Sequence, residues 1–256
     1  MLLALDVGNT NVTIGTFEGA RITGRWRLST IHEQTADEWG ILLRNIFALS
    51  SLDLSQVDGI VIASVVPPID PSLEKMAVRY FHRTPMFVTP ETDTGMVILC
   101  DNPREVGADR VVNGVAAFRL LGGPCVVVDL GTAITFDAVS AHGEYLGGLI
   151  CPGIGISMEG LFAKTARLPL VDFRQPAKLI GTNTVGSIQA GLYYGAIGTI
   201  DGILERLMGE LGPETKVIAT GGQASLILRS SRYLKQADED LTLKGLRMIW
   251  ERNQSK

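Results

Sequence analysis

The chain has 256 residues, which is enough for one large domain or two ordinary ones with a buried core. With 46% hydrophobic and 20% charged residues, its composition excludes disordered and fibrous proteins. A formal net charge of −4 argues against a nucleic-acid partner, because nucleic acids recruit basic faces. Any phosphate bound by this chain must therefore be held mainly by backbone N–H groups and a metal ion.

The sequence also predicts a cytoplasmic protein. The N-terminus has no basic region and Asp6 interrupts its apolar start, so no signal peptide is expected. The apolar run over residues 59–69 is too short to cross a bilayer. The three cysteines lack a C-x-x-C pattern and the three histidines lack ligand spacing, so we expect reduced thiols and no zinc site.

Apolar patterning predicts the secondary structure of the first half. The spacing of Trp39, Leu42, Leu43 and Ile46 indicates a helix in a stretch otherwise rich in short strands. The predicted elements are strands over 2–6, 11–17 and 21–28, a helix over 35–49, a strand over 59–65, a helix over 71–81 and a strand over 86–88.

The pattern of the first thirty residues recurs later in the chain. LLALDVGNTN and CVVVDLGTAI each read as an apolar strand ending in an aspartate, Asp6 or Asp129, with a glycine two residues on. Thr10 aligns with Thr132 only after a one-residue gap. Because each copy is followed by two further predicted strands, the pattern indicates an internal duplication. The strands of the second copy are predicted over 125–129, 133–139 and 144–151.

The remaining elements place helices after strands, which favours an α/β class. We expect the first domain to span residues 1–118 and the second 119–256, with the boundary in or after a helix that precedes Gly122. The other predicted elements are helices over 109–121 and 184–211, a strand over 216–219, a helix beginning at 222–228 and a closing helix over 240–252.

Each D-x-G segment predicts a tight hairpin whose N–H groups can converge on an anion. One such hairpin alone is more often an ordinary turn, but two copies favour a phosphate site. A carboxylate about 4 Å from a phosphate charge would cost roughly 4 kcal/mol at an effective dielectric near 20. Asp6 and Asp129 therefore indicate that a metal ion lies between carboxylate and phosphate.

A third glycine-rich turn follows the predicted strand over 216–219. Gly221 and Gly222 could admit an adenine ring or its ribose, although a plain strand-to-helix turn is the better explanation when this segment is taken alone. The sequence has neither a Walker A motif nor a G-x-G-x-x-G after a strand. The three turns, in this order, resemble the superfold of acetate and sugar kinases, heat-shock chaperones and actin. That resemblance implies a duplicated actin-like (ribonuclease H-like) fold, two βββαβαβ-type domains with a cleft between them.

The segment Gly107-Ala108-Asp109-Arg110 narrows the resemblance to one family. Taken alone it reads as a loop in which Asp109 caps a helix. Together with the hairpins it resembles type III pantothenate kinase, whose signature includes a G-A-D-R here. Further similar segments are the G-G-x-I-x-P-G over 147–153, the helix led by Thr184 and the T-G-G over 220–222.

By this resemblance the chain transfers phosphate from ATP to pantothenate, giving 4′-phosphopantothenate, the first step of coenzyme A biosynthesis. Magnesium is expected with ATP, and Asp129 would ligate a monovalent cation, potassium or ammonium. Asp109 would be the general base. Glu105 is the other nearby acid, but it lies outside the G-A-D-R. The implied ATP-binding residues are Asp6, Val7, Gly8, Asn9, Thr10, Asn11, Val12, Thr13 and Thr132, and the implied pantothenate-binding residues are Cys100, Gly107, Ala108, Asp109, Arg110 and Thr184.

Two features of the sequence bear on affinity and assembly. The family usually has Tyr at the position of Cys100, so a ring and a hydroxyl are missing from the implied pantothenate site. The helix after Thr184 is rich in glycine, which costs roughly 1 kcal/mol per residue in a helix interior and indicates close packing against another helix. That helix could belong to the same chain, and the resemblance favours a homodimer.

Two alternatives stay open at this point. A sugar kinase or polyphosphatase of the same superfold would need more polar side chains than the mostly apolar stretch 96–100 offers. A nucleotide-driven filament or chaperone-like protein would need subdomains for which 256 residues leave no room. ATP turnover by purified protein, measured with and without pantothenate, distinguishes all three.

Overall fold

A computed structural model describes residues 1–165 and 167–254. Within them the strands are β1 (Leu2–Val7), β2 (Asn11–Glu18), β3 (Arg21–Ser29), β4 (Gly59–Ser64), β5 (Met86–Phe87), β6 (Cys125–Leu130), β7 (Ala133–Val139), β8 (Tyr145–Pro152) and β9 (Lys216–Thr220). The helices are α1 (Ala36–Leu49), α2 (Asp70–Met76), α3 (Ala108–Leu121), α4 (Ile154–Lys164), α5 (Thr184–Leu211), α6 (Ala224–Leu228) and α7 (Leu241–Gln254).

The chain forms two compact units. The first contains Met1–Met96, Asp101–Ala116 and the described part of Thr242–Lys256, and the second contains Val97–Cys100 and Ala117–Leu241. The closing helix thus groups with the first unit, because its apolar residues pack in the core around Leu2 and Ala4. A division of the fold at residue 118 stays a prediction.

Each unit is built on a mixed sheet with the same local order. In the first unit the strand order is β3-β2-β1-β4-β5, and in the second it is β8-β7-β6-β9. In both, the first strand is antiparallel to the second and parallel to the strand that arrives later in the chain. The repeated topology agrees with the predicted duplication.

The strand registers explain the one-residue gap in the alignment of the two copies. Asp6 lies opposite Thr13 and Asp129 lies opposite Thr135, so the two aspartates occupy the same place in their hairpins. The first turn spans residues 8–11, whereas the second spans only 131–133. The gap in the sequence is therefore a shorter turn in the second hairpin.

Helices cover both faces of the first sheet. On one face, Trp39 and Phe47 of α1 pack with Leu5 of β1 and with apolar residues of α2. Thr35 caps α1 through a capping box with Glu38, as expected for the predicted start of this helix. The other face carries α3 and α7, whose apolar residues pack against those of β1 and β2.

In the second unit, α5 and α6 pack on the strands that carry the second hairpin. Tyr193 and Ile200 of α5 are fully buried against Val128 and Phe136 of the sheet. No helix in the described part of the chain is long and apolar enough to cross a membrane.

Three local predictions differ from the structure. Helix α4 was not predicted, because Ile154 is its only buried residue and two glycines interrupt it, which removes the amphipathic period. The helix predicted over 71–81 is α-helical only to Met76 and ends in a π-helical turn. The interpretation of Asp109 as a helix cap is wrong, since α3 begins at Ala108 and Asp109 lies inside its first turn.

Candidate active site

The first hairpin is closed by its own backbone and held by the segment after β3. Gly8 N donates to Asn11 O at 3.0 Å across the turn. Thr30 N donates to Thr10 O at 3.0 Å, and Thr30 Oγ1 donates to Gly8 O at 2.6 Å. Thr30 therefore positions the turn by occupying the carbonyl oxygens of Gly8 and Thr10. It was not predicted as a site residue.

The G-A-D-R signature forms the start of α3. Gly107 O accepts from Arg110 N at 3.1 Å, and Asp109 Oδ1 accepts from the same N–H at 2.8 Å. A Cβ at Gly107 would lie 2.5 Å from Asp109 Oδ1 and 3.5 Å from Val65 Cγ1. Any side chain at position 107 would therefore displace the Asp109 carboxylate.

The start of α3 lies beside the hairpin end of β1. Val65, the residue against which Gly107 packs, donates its N–H to Val7 O at 3.0 Å. Ala63 of β4 lies opposite Asp6, and Ala108 packs against the cluster that includes Ala63. The first unit thus brings the Asp6–Thr13 hairpin and the G-A-D-R together.

Burial raises the pKa of the Asp109 carboxyl above its ordinary value. The backbone N–H and the charge of Arg110 act in the opposite direction, because both stabilise the carboxylate. A carboxylate held in this way is a stronger proton acceptor than a solvated aspartate. The geometry therefore suits proton transfer rather than simple surface charge.

The second hairpin is packed against the start of α4. Gly131 N donates to Ala133 O at 3.0 Å, closing the turn. A Cβ at Gly153 would lie only 2.0 Å from Thr132 O and 2.9 Å from Gly131 O. The G-G-x-I-x-P-G segment therefore fixes the position of this hairpin through its last glycine.

Gly221 packs closely against the Asp129 carboxylate. Its φ is +90°, and a Cβ there would lie 2.7 Å from Asp129 Oδ1 and 2.6 Å from Leu130 O. Thr220 is opposite Asp129 in the parallel ladder. The Asp129 carboxylate and the Leu130 carbonyl thus both lie against Gly221, and oxygen atoms of these kinds are ligands suited to a monovalent cation. Among the described residues, no three His, Cys, Asp or Glu side chains come together as a metal cluster.

The other predicted pantothenate residues lie in the second unit. Cys100 is partly buried, and its Sγ lies 3.8 Å from where a Cβ on Gly147 would be. Thr184 is the exposed first residue of α5, as predicted, and the side chain of Asn183 caps the helix by accepting from Gly186 N at 2.8 Å. The second unit thus holds Asp129, Thr132 and both of these residues, at separate places on its sheet and helix.

Comparison with solved structures defines the fold class. The activator of 2-hydroxyisocaproyl-CoA dehydratase from Clostridium difficile has a TM-score of 0.57 at 11% identity, with 99% of this chain and 96% of that chain covered. The ethanolamine utilization protein of Carboxydothermus hydrogenoformans has a TM-score of 0.56 at 14% identity, covering 96% of this chain and 89% of that one. The chain has the duplicated actin-like fold that the two D-x-G hairpins and the glycine-rich turn at 221–222 predicted.

Comparison of sequences defines the family. The family model for type III pantothenate kinase matches residues 2–206. The type III pantothenate kinase of Solibacter usitatus is 68% identical over 253 residues, covering 99% of this chain and 97% of the relative. That of Koribacter versatilis is 56% identical over 265 residues, covering 100% and 97%. The chain belongs to the type III pantothenate kinase family, which confirms the resemblance drawn from the G-A-D-R and the hairpins.

Proposed function

We propose that Asp109 of this kinase accepts the proton of the pantothenate hydroxyl as the terminal phosphoryl group of ATP is transferred to it. The reaction forms 4′-phosphopantothenate for coenzyme A biosynthesis, as membership of the family indicates. The observation that carries the assignment is the partly buried Asp109 carboxylate, with its raised pKa, at the hairpin end of β1. ATP consumption by purified protein should require pantothenate, and turnover without pantothenate would contradict the proposal.

ATP is the phosphate donor in this proposal, and the two hairpins bind its phosphates. Support comes from the backbone bonds that preset the first turn and from the contact between Gly153 and Thr132. The Clostridium difficile activator of the same fold was crystallised with bound ADPNP, a nucleotide analogue. Arg110, which follows the base, would bind the pantothenate carboxylate.

The proposed location is the cytoplasm. The free thiols of the chain support it, because the cytoplasm is reducing.

Two kinds of cation complete the proposed site. Magnesium would accompany ATP near Asp6 and neutralise phosphate charge. A monovalent cation would bind Asp129 and Leu130 O, the two oxygen-bearing groups that lie against Gly221. In both cases the chain's own contribution is to hold its oxygen atoms at fixed positions.

Activity should depend on a monovalent cation as well as on magnesium. With magnesium present, we expect low rates in sodium alone and a rise of roughly tenfold or more on adding potassium or ammonium. The reason is that these larger ions suit a site made of a carboxylate and a carbonyl oxygen. Steady-state rates in matched chloride salts measure the effect. Equal rates in all three salts would remove the cation role of Asp129.

The second unit exposes an apolar surface that supports a homodimer. Gly191, Gly195 and Gly198 of α5 have no atom within 4 Å of an added Cβ among the described residues, so they do not serve close packing inside the chain. Large apolar side chains of the same unit are also exposed, including Ile150, Ile156, Phe162, Val185 and Tyr194. We propose that this surface pairs with a second copy, which would bring Thr184 near a shared site.

Light scattering at assay concentration should therefore give the mass of a dimer, about twice the 27.5 kDa of the chain. Phe162→Asp places a charge in the exposed surface and should shift the mass toward the monomer, because a buried unpaired charge is costly. Leu49→Asp is a matched control, since Leu49 is exposed on α1 of the other unit. A monomeric mass for the unmodified chain would contradict the homodimer.

Restoring the family's usual residue at position 100 should tighten pantothenate binding. We expect Cys100→Tyr to lower KM for pantothenate about threefold or more with little change in kcat, the behaviour of uniform binding. The new ring must share space with Gly147, whose φ of +118° keeps that part of β8 without a side chain. Steady-state kinetics measure both constants, and an unchanged KM would place Cys100 away from the substrate.

A further inference from the structure

Arg27 lies in one cross-strand row with two residues of the first hairpin. Asp6 on β1 is opposite Thr13 on β2, and Thr13 is opposite Arg27 on β3. Directly opposite residues of antiparallel strands project from the same face, with Cβ atoms about 5 Å apart. The three side chains therefore leave one face of the sheet, and β3 runs about 10 Å from β1.

This row is on the face that carries α3 and α7. Gly15, two residues after Thr13, would place a Cβ 2.8 Å from Leu243 of α7, and residues two apart in a strand share a face. The row that contains Arg27 includes Thr13, which lies two residues nearer the hairpin turn than Gly15, the site of this helix contact. On the other side of Asp6 the row continues with Ala63, near the start of α3.

Arg27 is exposed on an edge strand and is engaged by no other side chain. No hydrogen bond, ion pair or ring contact involves its guanidinium within residues 1–165 and 167–254. The other arginines of β3 differ, since Arg21 pairs with Glu18 at 2.7 Å and Arg25 has interactions of its own. Among the three arginines of β3, Arg27 is thus the one without a side-chain partner within the part of the chain that the structure describes, and it lies near the turn of the first hairpin.

We propose that Arg27 binds the phosphate chain of ATP during phosphoryl transfer, an inference that rests on the proposed ATP site at the first hairpin. A guanidinium offers a planar fork of donors that matches phosphate oxygens, and it keeps its charge at every working pH. Asp6 requires a cation beside the phosphates, and Arg27 supplies a permanent positive charge on the far side of Thr13. Cations beside the phosphates stabilise the charge of the transferring group.

The test compares Arg27→Met and Arg27→Lys with Arg21→Met, a control of the same residue type on the same strand. Arg27→Met should lower kcat/KM for ATP on the order of tenfold to a hundredfold, with KM for pantothenate and the Tm unchanged. Arg27→Lys should recover part of the loss, and Arg21→Met should stay within about twofold. Calorimetric titration locates the contact: weaker ATP binding with unchanged ADP binding assigns it to the terminal phosphate, and weaker binding of both assigns it to an inner one.

Values of kcat/KM and Kd for ATP within about twofold of the unmodified chain in Arg27→Met would overturn this inference. An equal loss in Arg21→Met would overturn it too, because the effect would then be a general one of surface charge. Asp6→Asn, titrated in parallel, separates the two proposals. If it weakens ATP binding while Arg27→Met does not, the hairpin site stands and Arg27 alone is excluded, whereas a failure of the unmodified chain to phosphorylate pantothenate overturns both.

Discussion

Asp109→Asn should lower kcat on the order of a hundredfold or more while leaving the fold intact. Asn keeps the size of the side chain and can still accept from Arg110 N, the bond that Asp109 Oδ1 makes at 2.8 Å. It cannot take up the hydroxyl proton. Steady-state kinetics and thermal melts measure the two effects, and Glu105→Gln, which changes an exposed acid four residues away, is the matched control.

The size of this effect follows from the chemistry of the acceptor hydroxyl. A carboxylate of ordinary pKa, near 4, is mismatched by roughly 12 units with an alcohol, taking water at about 16 as a stand-in, which amounts to about 16 kcal/mol. The raised pKa of Asp109 narrows this gap but does not remove it. Prior deprotonation is therefore too costly. The base must orient the hydroxyl and accept its proton late, as the bond to phosphorus forms in a loose transition state.

The same assignment predicts how activity and stability change with pH. Because burial raises the pKa of Asp109, kcat/KM should begin to fall on acidification at a higher pH than an ordinary aspartate would give. The folded state binds this proton more tightly than the unfolded state, so the group lowers stability once pH rises past its unfolded pKa. Asp109→Asn should therefore be at least as stable as the parent at pH 7. A near-normal kcat in this variant would show that Asp109 is not the general base and is only a residue of the first turn of α3.

Gly153→Ala should damage the second hairpin and with it ATP binding. The added Cβ would lie 2.0 Å from Thr132 O, a backbone atom that cannot move without distorting the turn. We expect a loss of stability of about 3 kcal/mol, a Tm lower by roughly 6–12 °C and a KM for ATP raised about tenfold or more.

Gly209→Ala is the matched control for this substitution. Gly209 is an exposed glycine of α5 with no atom within 4 Å of an added Cβ among the described residues. Alanine there should raise stability by up to about 1 kcal/mol, because it favours the helix. If both variants bind ATP as the parent does, the contact between Gly153 and Thr132 does not position the nucleotide.

The sequence alone determined the features whose signals are local. Apolar alternation and helical spacing located β7 and α5 with their observed bounds, Ala133–Val139 and Thr184–Leu211. The repeated D-x-G, each copy at the end of an apolar strand, indicated two hairpins of the same kind. The G-A-D-R indicated the family because a motif of adjacent residues can be recognised without knowing the tertiary structure.

Only the tertiary structure decided which distant residues meet. Arg27 and Thr30 carry no local signal, and it is strand register that brings them to the first hairpin, since pairing is set by contacts between segments far apart in the chain. The roles of Gly153 and Gly221 are also tertiary: each lacks a Cβ because a backbone oxygen of another strand or turn occupies that space. The closing helix joined the first unit for the same reason, because its apolar face finds its partners on β1 and β2 and not among its neighbours in sequence.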